Sequence, residues 1–211
     1  MPKKLEPREE AITGVEEARI YGEAHRKNAK LMYRALLNDV RYLNVSGRCL
    51  EVGAGPGTLA VMIAEQNPDI SITAVDLSPD MATVADEYIR QKNLQDRIHY
   101  SIADAGDEKA MGELGKFDFV YSTFSLHHWS DVAKSIYNLW HVLKDDGVLY
   151  IQDLKRVWWL YYLPLKGGFA NSIRAAYLPN EIGVVLQKSG INNYKIKTTF
   201  PFFMQSIIAW K

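Results

Sequence analysis

Apolar and polar positions follow two different periods along this chain. Between residues 15 and 43, apolar side chains recur at helical spacing (Ile20, Ala24, Leu31, Met32, Ala35, Leu36, Val40, Leu43). That predicts one long helix or two shorter ones ahead of any strand. From residue 48 short apolar runs take over: 48–52, 71–76, 98–103, 117–123 and 147–153 read as strands, with helical patterns over 58–66, 79–93, 108–114 and 131–143 between them. The borders carry turn chemistry. Ser78 and Pro79 offer a capping hydroxyl and a first-turn proline. Asp145-Asp146-Gly147 ends another helix. Strands alternating with helices of this length predict crossover units and a parallel sheet.

The last third departs from that rhythm. Residues 154–176 have no clear period and are rich in aromatic and basic side chains, 179–189 is helical again, and Gly190 stops it. Tyr194–Thr199 and Met204–Trp210, joined through Pro201, predict an antiparallel hairpin on the sheet edge.

Composition narrows the partners. A chain of 211 residues suits one α/β domain, and 47% hydrophobic with 24% charged residues is ordinary for a soluble protein. The formal net charge is zero, so there is no overall footprint for a phosphate backbone, although a local basic patch can hide in an average. Nucleic acid is therefore not expected as a partner. The one cysteine, Cys49, can form neither an internal disulfide nor a cysteine metal site, and its strand position predicts a buried hydrophobe. The opening MPKKLEPREE is charged and lacks the apolar stretch of a secretory signal; the first dozen residues read as a loose tail. The longest apolar run, 157–165, is too short for a membrane span. A cytoplasmic location is the expectation.

The densest chemistry lies at residues 51–58, EVGAGPGT, between a strand and a helix. Gly53, Gly55 and Gly57 allow a turn with φ > 0 and direct approach of a ligand to the backbone. A phosphate loop needs Lys then Ser or Thr after its last glycine, whereas Thr58 and Leu59 stand here. A dinucleotide turn needs G-x-G-x-x-G, and the third glycine comes one residue early. Glu51, two residues before Gly53, would repel a pyrophosphate but stabilise an ammonium or sulfonium. With Asp76 closing the next strand, the pattern predicts a nucleoside-bearing cofactor, positive near the loop, lying across the carboxyl ends of the sheet.

These features resemble the class I S-adenosylmethionine-dependent methyltransferases over roughly residues 48–153. EVGAGPG is similar to the family's first motif, AVDLS (74–78) to the second and IADAG (102–106) to the third. FDFVYSTFSLHHW (117–129) and LKDDGVLYIQD (143–153) follow in family order. The resemblance implies a Rossmann-like sandwich with a seven-stranded, mostly parallel sheet and an antiparallel C-terminal hairpin strand. It implies S-adenosyl-L-methionine as cofactor and S-adenosyl-L-homocysteine as product. Asp76 would grip the ribose diol, Leu77 and Met81 would sandwich the adenine, and Asp104 would meet its amino group with Ala103 and Ala105 beside it. Glu51, Gly53, Ala54, Gly55 and Gly57 would surround the amino-acid end. Tyr21 or His25 would close over that end, with Ser122 and Thr123 facing from the opposite side. Tyr21 and His25 also read as plain helix-packing residues.

Methyl transfer asks the protein to hold a nucleophile against the methyl carbon and, where a proton must leave, to supply a base. His127 and His128 are the candidates. The alternative is that His127 lies against the cofactor and His128 packs with Trp129. No metal is expected. No Asn-Pro-Pro-Tyr-like tetrapeptide follows the fourth strand, and Cys49 is misplaced for a cytosine nucleophile. Residues 154–178 would form the acceptor pocket, with Trp158, Trp159, Tyr161, Tyr162 and Phe169 as walls and Lys155, Arg156, Lys166 and Arg174 as positive charge. Similarity to the quinone-biosynthesis C-methyltransferases implies Asp153, Arg174 and Tyr177 as substrate contacts, and the aromatic wall adds Trp158. The expected organisation is a single domain, with a helical lid over 1–45, a cofactor core over 46–153 and a C-terminal helix and hairpin over 179–211. The expected partner is a small molecule with an apolar or aromatic body, and the expected assembly a monomer or homodimer. A nicotinamide dehydrogenase and a non-catalytic S-adenosylmethionine-binding regulator are the alternatives.

Overall fold

The computed structural model describes residues 2–6, 12–164 and 167–211. Part of the expected loose tail, and Lys166 of the expected acceptor pocket, lie outside the described residues.

The leading periodic stretch is two helices, α1 (Val15–Met32) and α2 (Arg34–Tyr42). A distant side chain holds the break between them. Gln152 donates to the Met32 carbonyl at 2.8 Å and accepts from the Leu36 amide at 3.2 Å, using two backbone groups that the break leaves over. Four strand–helix units and a fifth strand follow: β1 (Gly47–Val52), α3 (Thr58–Gln66), β2 (Ile70–Asp76), α4 (Pro79–Gln91), β3 (Ile98–Ile102), α5 (Glu108–Glu113), β4 (Phe117–Thr123), α6 (Val132–Val142) and β5 (Leu143–Leu154). A 3-10 turn, Leu126–His128, lies between β4 and α6. The chain finishes with α7 (Trp158–Tyr162), α8 (Gly168–Ala175), α9 (Pro179–Lys188), β6 (Tyr194–Thr199) and β7 (Met204–Trp210).

The sheet order is β3-β2-β1-β4-β5-β7-β6, with β1 to β5 parallel and β7 antiparallel to both its neighbours. This is the expected seven-stranded arrangement, hairpin included. Strand alternation sends Cys49, Ile72, Phe119 and Tyr150 into one core with α2 and α3. Leu50, Val120, Leu149 and Ile207 go into the other, with α6 and α9. Burial pushes the Cys49 thiol up to about 12, so it is the inert hydrophobe expected.

Local signals hold where the sequence reads most clearly. Ser78 Oγ accepts from the Met81 amide at 3.2 Å, and Asp107 and Asp131 cap α5 and α6 in the same way at 3.1 and 3.0 Å. Two expectations change. β5 begins at Leu143, four residues early, because Phe117 pairs with Leu143 and Phe119 with Val148, so the Asp145–Gly147 turn becomes a bulge within the strand. The aperiodic stretch contains two short helices, α7 and α8, whose buried side chains Leu160 and Ile173 form a small separate core with Leu154 and Met204. Their apolar stripes are too brief to produce a period.

Nor does α2 have the placement of a lid. Leu36, Leu37 and Val40 lie in the main core, and Asp39 accepts from the Tyr150 hydroxyl at 2.6 Å and from Lys197 at 2.7 Å. Among the described residues, no helix is long and apolar enough to cross a membrane.

Candidate active site

Every predicted motif ends at one edge of the sheet. Val52 pairs with Val75 and Ser122, Asp76 with Ile102, and Thr123 with Gln152, so Gly53, Asp76, Ala103, Thr123 and Asp153 all lie at or just past the carboxyl ends of neighbouring strands. The chain leaves β1 toward β2 while β4 lies on the other flank, the reversal at which such sheets open a crevice.

The glycine turn forms the floor. The amides of Gly53 and Ala54 both bond to the Val75 carbonyl, at 2.9 and 3.0 Å, folding the turn back over β2. Gly53 has φ +71, and a Cβ there would lie 2.6 Å from Ser125 Cβ, so only glycine lets the β1 and β4 loops meet. Gly55 also has positive φ (+51), but a Cβ on it would face open space with no atom within 4 Å. A backbone that curves around an opening in this way fits a ligand laid directly on it. Gly57, in the same left-handed conformation, caps α3.

Asp76 braces this turn. Its carboxylate accepts from the Gly55 amide at 2.8 Å and the Ser78 amide at 3.0 Å, and it is half-buried. Next to it, Leu77 and Ile102 are 65% and 59% exposed, an unusual display of apolar side chains at adjacent strand ends. A flat base inserted between them would cover both. Met81 is spent elsewhere, buried with Ala18 and Val84 under α1. The exposed apolar neighbour of Leu77 is therefore Ile102, which the motif reading missed. Asp104 is exposed, with Oδ1 accepting from the Gly106 amide at 2.8 Å; Ala105 is buried, and its carbonyl accepts from Asn138 at 2.8 Å. Ala103 continues the ladder, donating to the Asp76 carbonyl at 3.1 Å.

Glu51 is 1% exposed, and its partner is the Tyr121 hydroxyl at 3.0 Å, directly across the β1–β4 ladder. Burial lifts its carboxyl to about 8 against the pull of that hydrogen bond, and the nearby Asp76 charge adds to the lift. Without a cation beside it Glu51 is mainly protonated at neutral pH, and it is not the standing negative charge that its place in the motif suggested. Tyr100 donates to the Gly55 carbonyl at 2.6 Å and locks the turn from β3. Tyr100 and Tyr121 went unread in the sequence because each acts across a ladder and not along the chain.

From above, α1 crosses the turn at Gly22, where a Cβ would come 3.1 Å from Pro56 Cβ. This puts Tyr21 and His25 near the crevice, their rings stacked at 5.5 Å, with His25 Nε2 3.0 Å from the Tyr33 hydroxyl. Burial and the neighbouring Arg26 hold the His25 imidazole below its usual value. Ser122 and Thr123 are buried, and the Ser122 hydroxyl has no protein partner.

The two candidate histidines part company. His128 is exposed, whereas His127 is 2% exposed and held by Asp153. The Asp153 carboxylate accepts from the His127 amide at 2.9 Å, from Nδ1 at 2.7 Å and from the Leu154 amide at 2.7 Å. An acceptor at Nδ1 fixes the tautomer and leaves the lone pair on Nε2, which is buried with no protein partner. Asp153 itself has no exposure. It is a support for His127 and not the acceptor contact that the resemblance implied. Arg156 is likewise buried, bonding to the Ala176 carbonyl at 2.6 Å and to Glu181. Tyr177 is half-buried beneath the Lys4 ammonium, Arg174 donates to the Tyr161 and Leu163 carbonyls at 3.3 and 3.1 Å, and Trp158 is 64% exposed. These three lie on or beside α7 and α8, of which α8 packs against the 3-10 turn bearing His127.

A family described as a methyltransferase domain matches residues 50–149. The ubiquinone/menaquinone biosynthesis C-methyltransferase UbiE of Geotalea uraniireducens is 30% identical over 162 residues, covering 71% of this chain and 68% of that protein. Its counterpart in Citrifermentans bemidjiense is 30% identical over 153 residues, but the chain spans only 64% of that protein's length. A SAM-dependent methyltransferase from Aquifex aeolicus has the same fold, with a TM-score of 0.67 at 18% identity over 94% of this chain and 98% of that one. The chain belongs to the class I S-adenosylmethionine-dependent methyltransferases. The cofactor of the family is S-adenosylmethionine, and the turn at Gly55, the half-buried Asp76 and the exposed Leu77 and Ile102 fit it. A nicotinamide has no support in these relationships.

Proposed function

We propose that this protein transfers the methyl group of S-adenosylmethionine to a small proton-bearing nucleophile with an apolar or aromatic body. One observation carries the reading: a buried imidazole, His127, held at Nδ1 by Asp153 with Nε2 unpartnered, stands at the same sheet edge as the cofactor turn. When bound, the cofactor supplies an electrophilic methyl carbon on a sulfonium.

Asp76 takes the ribose hydroxyls, exchanging its loop amides or sharing with them, since a carboxylate has room for several donors. Leu77 and Ile102 cover the adenine, and Asp104 with the Ala105 amide reads its edge. Glu51 gives up its proton when a cation comes near. His127 Nε2 accepts the proton of the acceptor's hydroxyl or activated carbon, and Asp153 stabilises the imidazolium that results. Tyr21 and His25 on α1 exclude water from the amino-acid end. α8, which packs against the 3-10 turn, borders the acceptor side of the crevice, and the names of the UbiE relatives favour a quinol-like ring.

The test is transfer of labelled methyl from S-adenosylmethionine to a panel of phenols and quinols, beside calorimetric titration with S-adenosylhomocysteine. His127→Ala should lower the transfer rate about a hundredfold or more at unchanged homocysteine-nucleoside affinity. Tight binding without transfer to any acceptor would favour the regulatory reading instead. Full activity in the variant would remove His127 as base.

A further inference from the structure

The zero net charge conceals a division. After Asp153 the chain carries eight Lys and Arg and one acid, Glu181, so residues 154–211 have net charge +7 while the first 153 residues have −7. Glu181 pairs with the buried Arg156, and Lys197 pairs with Asp39, so the excess rests on the other cations of the region. The same region holds much of the exposed aromatic surface. Trp158 and Trp159 on α7, Phe169 on α8 and Phe202 in the β6–β7 turn are all exposed, Phe202 by 72%. The elements that carry them share one small core: the Phe169 and Phe203 rings meet at 5.5 Å, and Leu160 of α7, Ile173 of α8 and Met204 of β7 are buried together.

Cations stand at the rim. The Lys155 ammonium is held by Thr198 Oγ1 at 2.8 Å, and its amide bonds to the Phe203 carbonyl at 2.7 Å. The Tyr161 hydroxyl donates to the Lys3 carbonyl at 3.1 Å, and the Lys4 ammonium lies 4.7 Å from the centre of the Tyr177 ring. Glu6 lies beside Arg174 and Asn171, and the charges of Glu6, Glu181 and Asp131 all reach the Tyr177 ring.

We propose that this face docks on an anionic lipid bilayer. Indole and phenol rings favour the headgroup level, where an apolar body meets a polar edge. Each cation near a negatively charged leaflet adds about 1 kcal/mol, roughly a fivefold gain in partition. One chain or one patch alone would bind weakly; aromatic insertion and charge together give the two signals that stable peripheral attachment needs. A nucleic acid fits less well, because the rim offers few cations and the face few groups able to read bases. Docking does not depend on the proposed methyl transfer, and the two fail separately.

The test is co-sedimentation of the full chain with vesicles of phosphatidylcholine alone and with about one third phosphatidylglycerol. Partition should be about tenfold stronger on the anionic vesicles and fall severalfold as salt rises from about 0.05 to 0.5 M. Joint Trp158→Ser and Trp159→Ser should weaken it about tenfold, and Lys155→Glu about fivefold or more. Tyr42→Ser, at the opposite end of the sheet, should change nothing. Melting and S-adenosylhomocysteine binding check that each variant is folded. Quenching of the parent protein's tryptophan fluorescence by brominated lipid reads insertion without any substitution. Equal sedimentation with both vesicle types overturns the proposal, as does absence of quenching. Conversion of a dimer to a monomer by the double variant with partition unchanged would assign the face to a second copy. Tighter binding of a single-stranded oligonucleotide than of vesicles would overturn it in favour of nucleic acid.

Discussion

The two flanks of the crevice use carboxylates in opposite ways. On the β1–β2 flank, Asp76 is half-buried and accepts from the Ser78 amide and from the Gly55 amide of the β1 turn, while Asp104 is exposed and accepts from the Gly106 amide. On the β4–β5 flank, Asp153 is fully buried and satisfies three donors, two of them from a segment 26 residues away. A carboxylate near solvent can trade a partner for a sugar hydroxyl at little cost. A buried one cannot, because every donor it released would be left unsatisfied at about 1–3 kcal/mol each. The first flank is therefore suited to recognising a ligand, and the second to holding one imidazole still.

The sharpest way to break that contrast is to remove Asp153. Asp153→Ala strands two buried amides and the His127 ring, and should cost about 3–5 kcal/mol of stability in denaturant unfolding. A cost below about 1 kcal/mol would mean that the β4–β5 flank is not a fixed support. Asp76→Ala should do the reverse. It should weaken S-adenosylhomocysteine binding by about 3 kcal/mol, roughly a hundredfold, while unfolding shifts by much less. Calorimetry and unfolding on the same preparation separate the two effects.

Glu51 sharpens the comparison through pH. Its folded carboxyl, at about 8, binds a proton more tightly than the ordinary 4.5 of an unfolded chain. The stability it contributes is full below 4.5, declines as pH rises, and is gone above about 8. A bound cation favours the carboxylate, so cofactor binding should release a proton and tighten with rising pH, up to about tenfold per unit, until it levels near pH 8. Glu51→Gln should flatten both profiles. A cofactor affinity independent of pH in the parent protein would place the positive end of the ligand elsewhere. The smallest effect expected is Asp104→Ala, which removes one exposed hydrogen bond and should cost only about 1 kcal/mol of binding, severalfold in Kd.

Part of the site is legible in the order of residues. The glycines of 51–58 announce a turn because positive φ is a property of single residues, and Ser78-Pro79 announces a helix start because capping spans one turn. Ile102 was missed because apolar residues at strand ends look like core until their 59% exposure is known. The aromatic region was legible as composition but not as structure, since α7 and α8 have five and eight residues, too few to establish a period. Its charge was hidden by averaging: the +7 of the last 58 residues cancels against an equal excess of acid before them.

The amino-acid order by itself determined the alternation of strands and helices, the turn that a nucleoside can lie on, and the acid that ends β2, because each depends on neighbours within a few residues. Only the tertiary structure decided that Tyr121 would lift its hydroxyl to Glu51, that Gln152 would hold two helices more than a hundred residues earlier, and that Asp153 would serve His127. Those pairings follow from strand order and register, which bring distant side chains together at one sheet edge. There burial turns an ordinary carboxyl into either a proton store or a fixed strut.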